Sequence, residues 1–98
     1  MLVKEGFDPL YGAGISLTNS NAVITNVLIT ENAGARYGGG LHCSYSSPML
    51  SNVTISNNAA TFGGGICCDN NSNPVLENSL IMGNSGTQDY SAIYSING

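Results

Sequence analysis

Charge is scarce in this sequence: two Lys or Arg and six Asp or Glu among 98 residues, a formal net charge of −4 and a pI near 4.3. A nucleic-acid binder is excluded, because no basic stripe exists to neutralise phosphates. Charged residues make up 8% of the chain, against roughly 25% in an ordinary globular domain. The polar mass comes instead from 13 Gly, from Asn, and from Ser and Thr, which is turn chemistry spread along the whole length. Three cysteines, Cys43, Cys67 and Cys68, are too few and too odd for a disulfide scaffold. No apolar run approaches the ~20 residues of a membrane helix. Met1-Leu2-Val3-Lys4-Glu5 lacks the basic-then-apolar profile of a signal peptide, so a secretion signal is expected outside this chain. A hydrophobic fraction of 42% argues against disorder, and the length suits a single domain over residues 1–98.

What is present is a repeat. Asn26, Asn52 and Asn78 are 26 residues apart, and so are Asn32, Asn58 and Asn84. Gly14, Gly40 and Gly65 recur with the same period, short of one residue at the last step, and are followed by Ile15, Leu41 and Ile66. Pro48 and Pro74 keep the phase, and the longer loop Asp69–Asn73 restores the missing residue. Three units cover about 11–36, 37–61 and 62–87, with partial coils over 1–10 and 88–98. Such periodicity means stacked supersecondary units whose apolar faces are buried only against one another.

A unit has no room for a helix. Its apolar stretches are about four residues long and alternate with period 2, as in Gly40-Leu-His-Cys43, Met49-Leu-Ser-Asn52 and Val53-Thr-Ile-Ser56. The pattern predicts an all-β fold, a parallel β-helix or β-solenoid of about four coils of 25–26 residues, with three short strands per coil. At ~4.8 Å per coil the stack would be roughly 19 Å tall. Alternation turns four ladders inward: Ile15, Leu41, Ile66 and Ile93; Leu17, Cys43, Cys68 and Ser95; Ile24, Leu50 and Leu76; Ile29, Ile55 and Ile81. The repeated asparagines are expected at corners, where Asn tolerates left-handed backbone and its amide can bond the next coil. Asn52, followed by Val53-Thr54, is placed on an inner ladder and reads as a poor glycosylation acceptor; Asn70, of the triplet Asn70-Asn71-Ser72 in the extended loop, is the only credible one. The glycine runs Gly38–Gly40 and Gly63–Gly65 supply a bend.

The Gly-Gly-Gly-aliphatic runs, paired with Ile29-Thr-Glu-Asn32, Ile55-Ser-Asn-Asn58 and Ile81-Met-Gly-Asn84, resemble the repeats of polymorphic outer-membrane proteins and autotransporter adhesins. The wider class they are similar to is the right-handed parallel β-helix, or pectin-lyase-like, superfamily. That resemblance implies right-handed coiling and an extracellular or cell-surface location. It also implies one of three roles: adhesin, passenger domain or polysaccharide-processing enzyme. Ile stands here where the outer-membrane repeats have Phe, and no barrel segment is present.

Enzymes of the resembled class need acids clustered on neighbouring coils. Folded onto the repeat, Asp69 falls level with Ser44 and Thr18, Glu77 with Ser51 and Thr25, and Glu31 with Asn57 and Gly83. No two carboxylates stack, so they read as solvated turn decoration. His42, Cys67 and Tyr94 point outward on consecutive coils; a nucleophile–base pair or half a zinc site is conceivable there. Zinc needs three or four ligands, and the column adds only Ser16, with no acid obviously placed to orient the His. A semi-exposed polar column is the expected outcome. No catalytic residue, metal or cofactor is assigned, and the chain is read as not an enzyme. Tyr11, Tyr37 and Phe62 share a column that ends at Gln88, either a packed ladder or a platform for sugar rings. Val3, Ile93 and Ile96, on inward ladders of the end coils, are the residues expected to carry self-association. The expected partner is a second copy stacked head to tail or the neighbouring coils of a longer β-helix, with glycan as the alternative.

Overall fold

A computed structural model of the chain describes residues 2–4, 6, 12, 14–33, 35–69, 71–89 and 93–95. Among them are fourteen short strands, each paired in parallel with the strand one repeat away. Sheet I stacks β2 (Ile15–Thr18), β6 (Leu41–Ser44), β10 (Ile66–Asp69) and β14 (Ile93–Ser95). Sheet II stacks β3 (Val23–Thr25), β7 (Met49–Ser51) and β11 (Val75–Glu77). Sheet III holds β1 (Leu2–Lys4), β4 (Leu28–Thr30), β8 (Thr54–Ser56) and β12 (Leu80–Met82); sheet IV holds β5 (Ala35–Tyr37), β9 (Ala59–Phe62) and β13 (Ser85–Asp89).

Sheets I to III fall on the three apolar stretches of each repeat. Sheet IV adds a fourth strand to each coil, built from segments such as Ala35-Arg-Tyr37 that carry little apolar alternation. Those segments are extended because the stacked coil partners their backbone, as where Ala59 N–H donates to Asn32 O at 2.9 Å and Gly38 N–H to Phe62 O at 3.0 Å. Local propensity yields here to cross-strand context.

The register is the one the repeat predicts. Ile15, Leu41, Ile66 and Ile93 pair in series, as do Leu17, Cys43, Cys68 and Ser95. Ile24, Leu50 and Leu76 line up on sheet II, and Val3 joins Ile29, Ile55 and Ile81 on sheet III. Leu41, Leu50, Ile55 and Ile66 are fully buried, each worth ~1.5–3 kcal/mol of transfer free energy. The lost residue lies between Asn58 and Phe62: Asn32 bonds Asn58 at a separation of 26, whereas Tyr37 pairs with Phe62. Phase returns between Asp69, paired with Ser44, and Ser72, whose Oγ accepts from Ser46 N–H at a separation of 26. One expectation fails at sheet IV. A register shift between Gly86 and Asp89 puts Asp89, not Gln88, opposite Phe62.

Each coil turns at four left-handed corners. Their columns are Gly12, Gly38 and Gly63; Asn19, Tyr45 and Asn71; Asn26, Asn52 and Asn78; and Glu31, Asn57 and Gly83, all with φ between 49° and 73°. Asn26, Asn52 and Asn78 are exposed, which corrects the inward placement of Asn52: a residue that turns the chain through φ 54° directs its side chain off the outside of the corner. Gly40 serves differently, since a Cβ there would sit 2.7 Å from Ile55 Cγ2 and 2.8 Å from the Gly65 carbonyl oxygen. The stack measures 28 × 27 × 18 Å, and no helix among the described residues is long and apolar enough to cross a membrane.

Candidate functional site

The chemistry-bearing side chains collect on the outer face of sheet I. His42 and Cys67 occupy paired positions on β6 and β10, and Asp69 follows Cys67 by two residues on the same face. Asp69 Oδ2 lies 3.1 Å from His42 Nε2. The expectation of a semi-exposed column with no acid is therefore corrected twice. His42 and Cys67 are buried, and Asp69 is a half-buried strand residue held against the ring rather than a solvated turn. The missed signal was a diagonal one, because a side chain two positions along the neighbouring strand still reaches across.

Adjacency does not make Cys67 a nucleophile. Burial, with smaller contributions from the Asp69 and Cys68 charges, pushes its thiol up to about 12. An attacking thiolate needs the opposite environment. On the inner face, Cys43 bonds the Cys68 sulfur, and that bond together with burial holds the Cys43 thiol well above the ordinary range. All three cysteines are free and buried: Cys43 and Cys68 on the inward ladder, where they pack as small apolar residues, and Cys67 on the column expected to be semi-exposed. The remaining described acids stand apart: Glu31 is at an exposed corner between sheets III and IV, Glu77 ends β11 on sheet II, and Asp89 ends β13 on sheet IV. Among the described residues no group of three His, Cys, Asp or Glu is arranged to hold a metal ion.

Tyr37 and Phe62 stack with centroids 5.4 Å apart and planes 17° from parallel, both half-buried, as a corner ladder would require. Arg36 lies over the Tyr37 ring, 5.6 Å from its centroid. Tyr11, Asn70 and Ile96 fall outside the described residues.

The most regular polar feature runs along the axis. Asn32, Asn58 and Asn84 form a buried to half-buried amide ladder. Asn32 Nδ2 donates to Asn58 Oδ1 at 2.9 Å, and Asn58 Nδ2 to Asn84 Oδ1 at 3.0 Å. The same oxygens take the backbone N–H groups of Asn32 and Asn58 at 3.0 and 2.9 Å. Each Nδ2 also reaches the carbonyl oxygen of the coil below: Val3 from Asn32, Ile29 from Asn58 and Ile55 from Asn84. A second ladder, of serines, was not expected from the sequence. Ser20 N–H donates to Ser46 Oγ at 2.9 Å and Ser46 N–H to Ser72 Oγ at 3.0 Å; the 26-residue spacing of these serines was the available signal. Both ladders satisfy buried backbone donors at corners where no strand partner is available.

Coils closed by four parallel sheets, with amide and hydroxyl ladders along the axis, define a β-solenoid. Over residues 7–97 the sequence matches the family model described as a right-handed beta helix region, and the chain belongs to that family. No curated protein and no solved structure matches it.

Proposed function

We propose that the chain is a structural β-helix module of an extracellular or cell-surface assembly. In this reading its end coils extend by head-to-tail stacking on another copy or on further coils of a longer β-helix. The observation that carries the reading is the translational sameness of the Asn32–Asn58–Asn84 ladder. Each step repeats the same bonds, so Asn84 offers a following coil the geometry that Asn58 offers Asn84. Val3, in register with Ile29, and Ile93, in register with Ile66, put the apolar ladders at both ends in the same phase. Low charge places little repulsion between copies. The reading gives the chain no catalytic task, which fits a Cys67 thiol held protonated and acids placed on separate columns.

Sedimentation and electron microscopy of the purified chain test it. Concentration-dependent filaments with a cross-section near 28 × 27 Å are expected, and Ile93→Lys should disperse them while keeping the β circular dichroism spectrum. A monomer at high concentration would overturn self-stacking, and turnover of an acidic polysaccharide would overturn the structural reading. A second reading, glycan recognition on the outer surface, is favoured only by Tyr45, 58% exposed at its corner. Glycan-array binding lost in Tyr45→Ala would promote it.

A further inference from the structure

We infer that Asn52 is an acceptor for an N-linked glycan. Transfer requires Asn-x-Ser/Thr with x other than proline and an amide that a large donor can reach. Asn52-Val53-Thr54 meets the first condition, and the exposed corner meets the second. The backbone of Asn52 is anchored, its N–H donating to Glu77 O at 3.0 Å, while φ of 54° carries the side chain away from the coil. Asn26 and Asn78 occupy the same corner of the neighbouring coils, but Leu28 and Leu80 stand where a hydroxyl is needed. Thr54 is thus the one hydroxyl in the Leu28–Thr54–Leu80 column. The second triplet, Asn70-Asn71-Ser72, has its Ser72 hydroxyl buried and taken by Ser46 N–H.

The surroundings of the corner are a second observation. Seven large apolar side chains are exposed among the described residues, and six of them lie on sheets II and III, the two sheets that meet at it. Val23, Met49 and Val75 form a column on one side, 71%, 44% and 49% exposed; Leu28, Leu80 and Met82 lie on the other. On sheet II the polar column Thr25, Ser51 and Glu77 lies between these apolar side chains and the corner, so a glycan on Asn52 would start among polar groups and extend over the apolar ones. In the transfer, Asn52 Nδ2 bonds to the sugar C1, the lipid pyrophosphate carrier leaves with the electron pair of the broken C1–O bond, and one amide proton is lost to base.

The inference rests on the extracellular placement proposed above, yet it is separable from stacking, because the corner points across the axis. The test is secretion of the full chain, behind a signal peptide, from eukaryotic cells. The expected product carries one glycan beyond its 10.1 kDa polypeptide mass, removed by peptide-N-glycosidase and mapped to Asn52. Thr54→Val should abolish the addition with the corner Asn retained, Thr54→Ser should keep it, and Asn70→Gln should leave it unchanged. If Thr54→Val is not secreted, peptide mapping of the parent chain decides alone. An unmodified mass, or a glycan found only on Asn70, overturns the inference, and sedimentation of the enzymatically deglycosylated chain reports stacking independently.

Discussion

A single oxygen, Asn58 Oδ1, accepts two hydrogen bonds from Asn32, one from the backbone N–H at 3.0 Å and one from the side-chain amide at 2.9 Å. Replacing Asn58 with Ala removes both acceptances, and with them the donation to Ile29 O. Each buried polar group left unmatched costs about 1–3 kcal/mol. Asn58→Ala should therefore lower stability by several kcal/mol, read as an earlier urea midpoint. Asn52→Gly should change it by less than about 0.5 kcal/mol, since glycine accepts the same left-handed corner. Equal losses in the two variants would contradict the division of labour between the two asparagine columns.

Alternation on sheet II supplies a second comparison. Leu50 is fully buried and its neighbour Met49 faces out. Leu50→Ala should cost about 2–5 kcal/mol, through lost transfer energy and the cavity left behind. Met49→Ala should cost under about 0.5 kcal/mol. Chemical denaturation of the two variants measures both, and a comparable loss for Met49 would mean that its face is covered.

Gly40 tests close approach rather than backbone freedom. An added Cβ would meet the Gly65 carbonyl oxygen at 2.8 Å, and that atom belongs to the ladder in which Gly65 O accepts Leu41 N–H at 2.9 Å. Neither strand can shift without breaking the bond. Gly40→Ala should lower thermal stability by an amount matching about 1–3 kcal/mol of overpacking. An unchanged melting temperature would show that the coils can spread.

The fold was legible because a 26-residue period in Asn and Gly fixes which residues stack, and alternation then fixes which face inward. Less was legible where two columns look alike. Asn26 and Asn32 recur identically, yet the first turns the chain with its own φ of 55° while the second relies on Glu31, at φ 56°, to turn it. Only then can Asn32 keep its amide inside, and a spacing cannot reveal that. The strands of sheet IV were hidden because their extension depends on neighbouring coils rather than on β-branched residues. His42 and Asp69 were missed because levels were compared straight up the stack, whereas their contact runs diagonally between β6 and β10.

Cys67 gives the molecule a defined alkaline response. Its thiol is fully buried and its pKa is raised from 9.0 to about 12, chiefly by burial. The folded state thus holds this proton more tightly than the unfolded chain does. The resulting stability is complete below pH 9.0 and is lost progressively as pH rises from 9.0 to about 12, because only the unfolded chain gains from ionising there. The loss should be on the order of a few kcal/mol, since each tenfold difference in proton affinity between the two states is worth about 1.36 kcal/mol. Cys67→Ala removes one titrating group and should make this part of the profile shallower, whatever its cost at neutral pH. The remaining slope comes from the Cys43 thiol, which is also held above its ordinary range. Urea midpoints of the parent and variant chains between pH 7 and pH 11 check the slope. Thiol-reagent kinetics give a second reading: Cys67 in the native chain should label at a rate set by unfolding rather than by thiolate fraction. Rapid labelling at pH 8 with the fold intact would show instead that the outer face of sheet I opens to solvent.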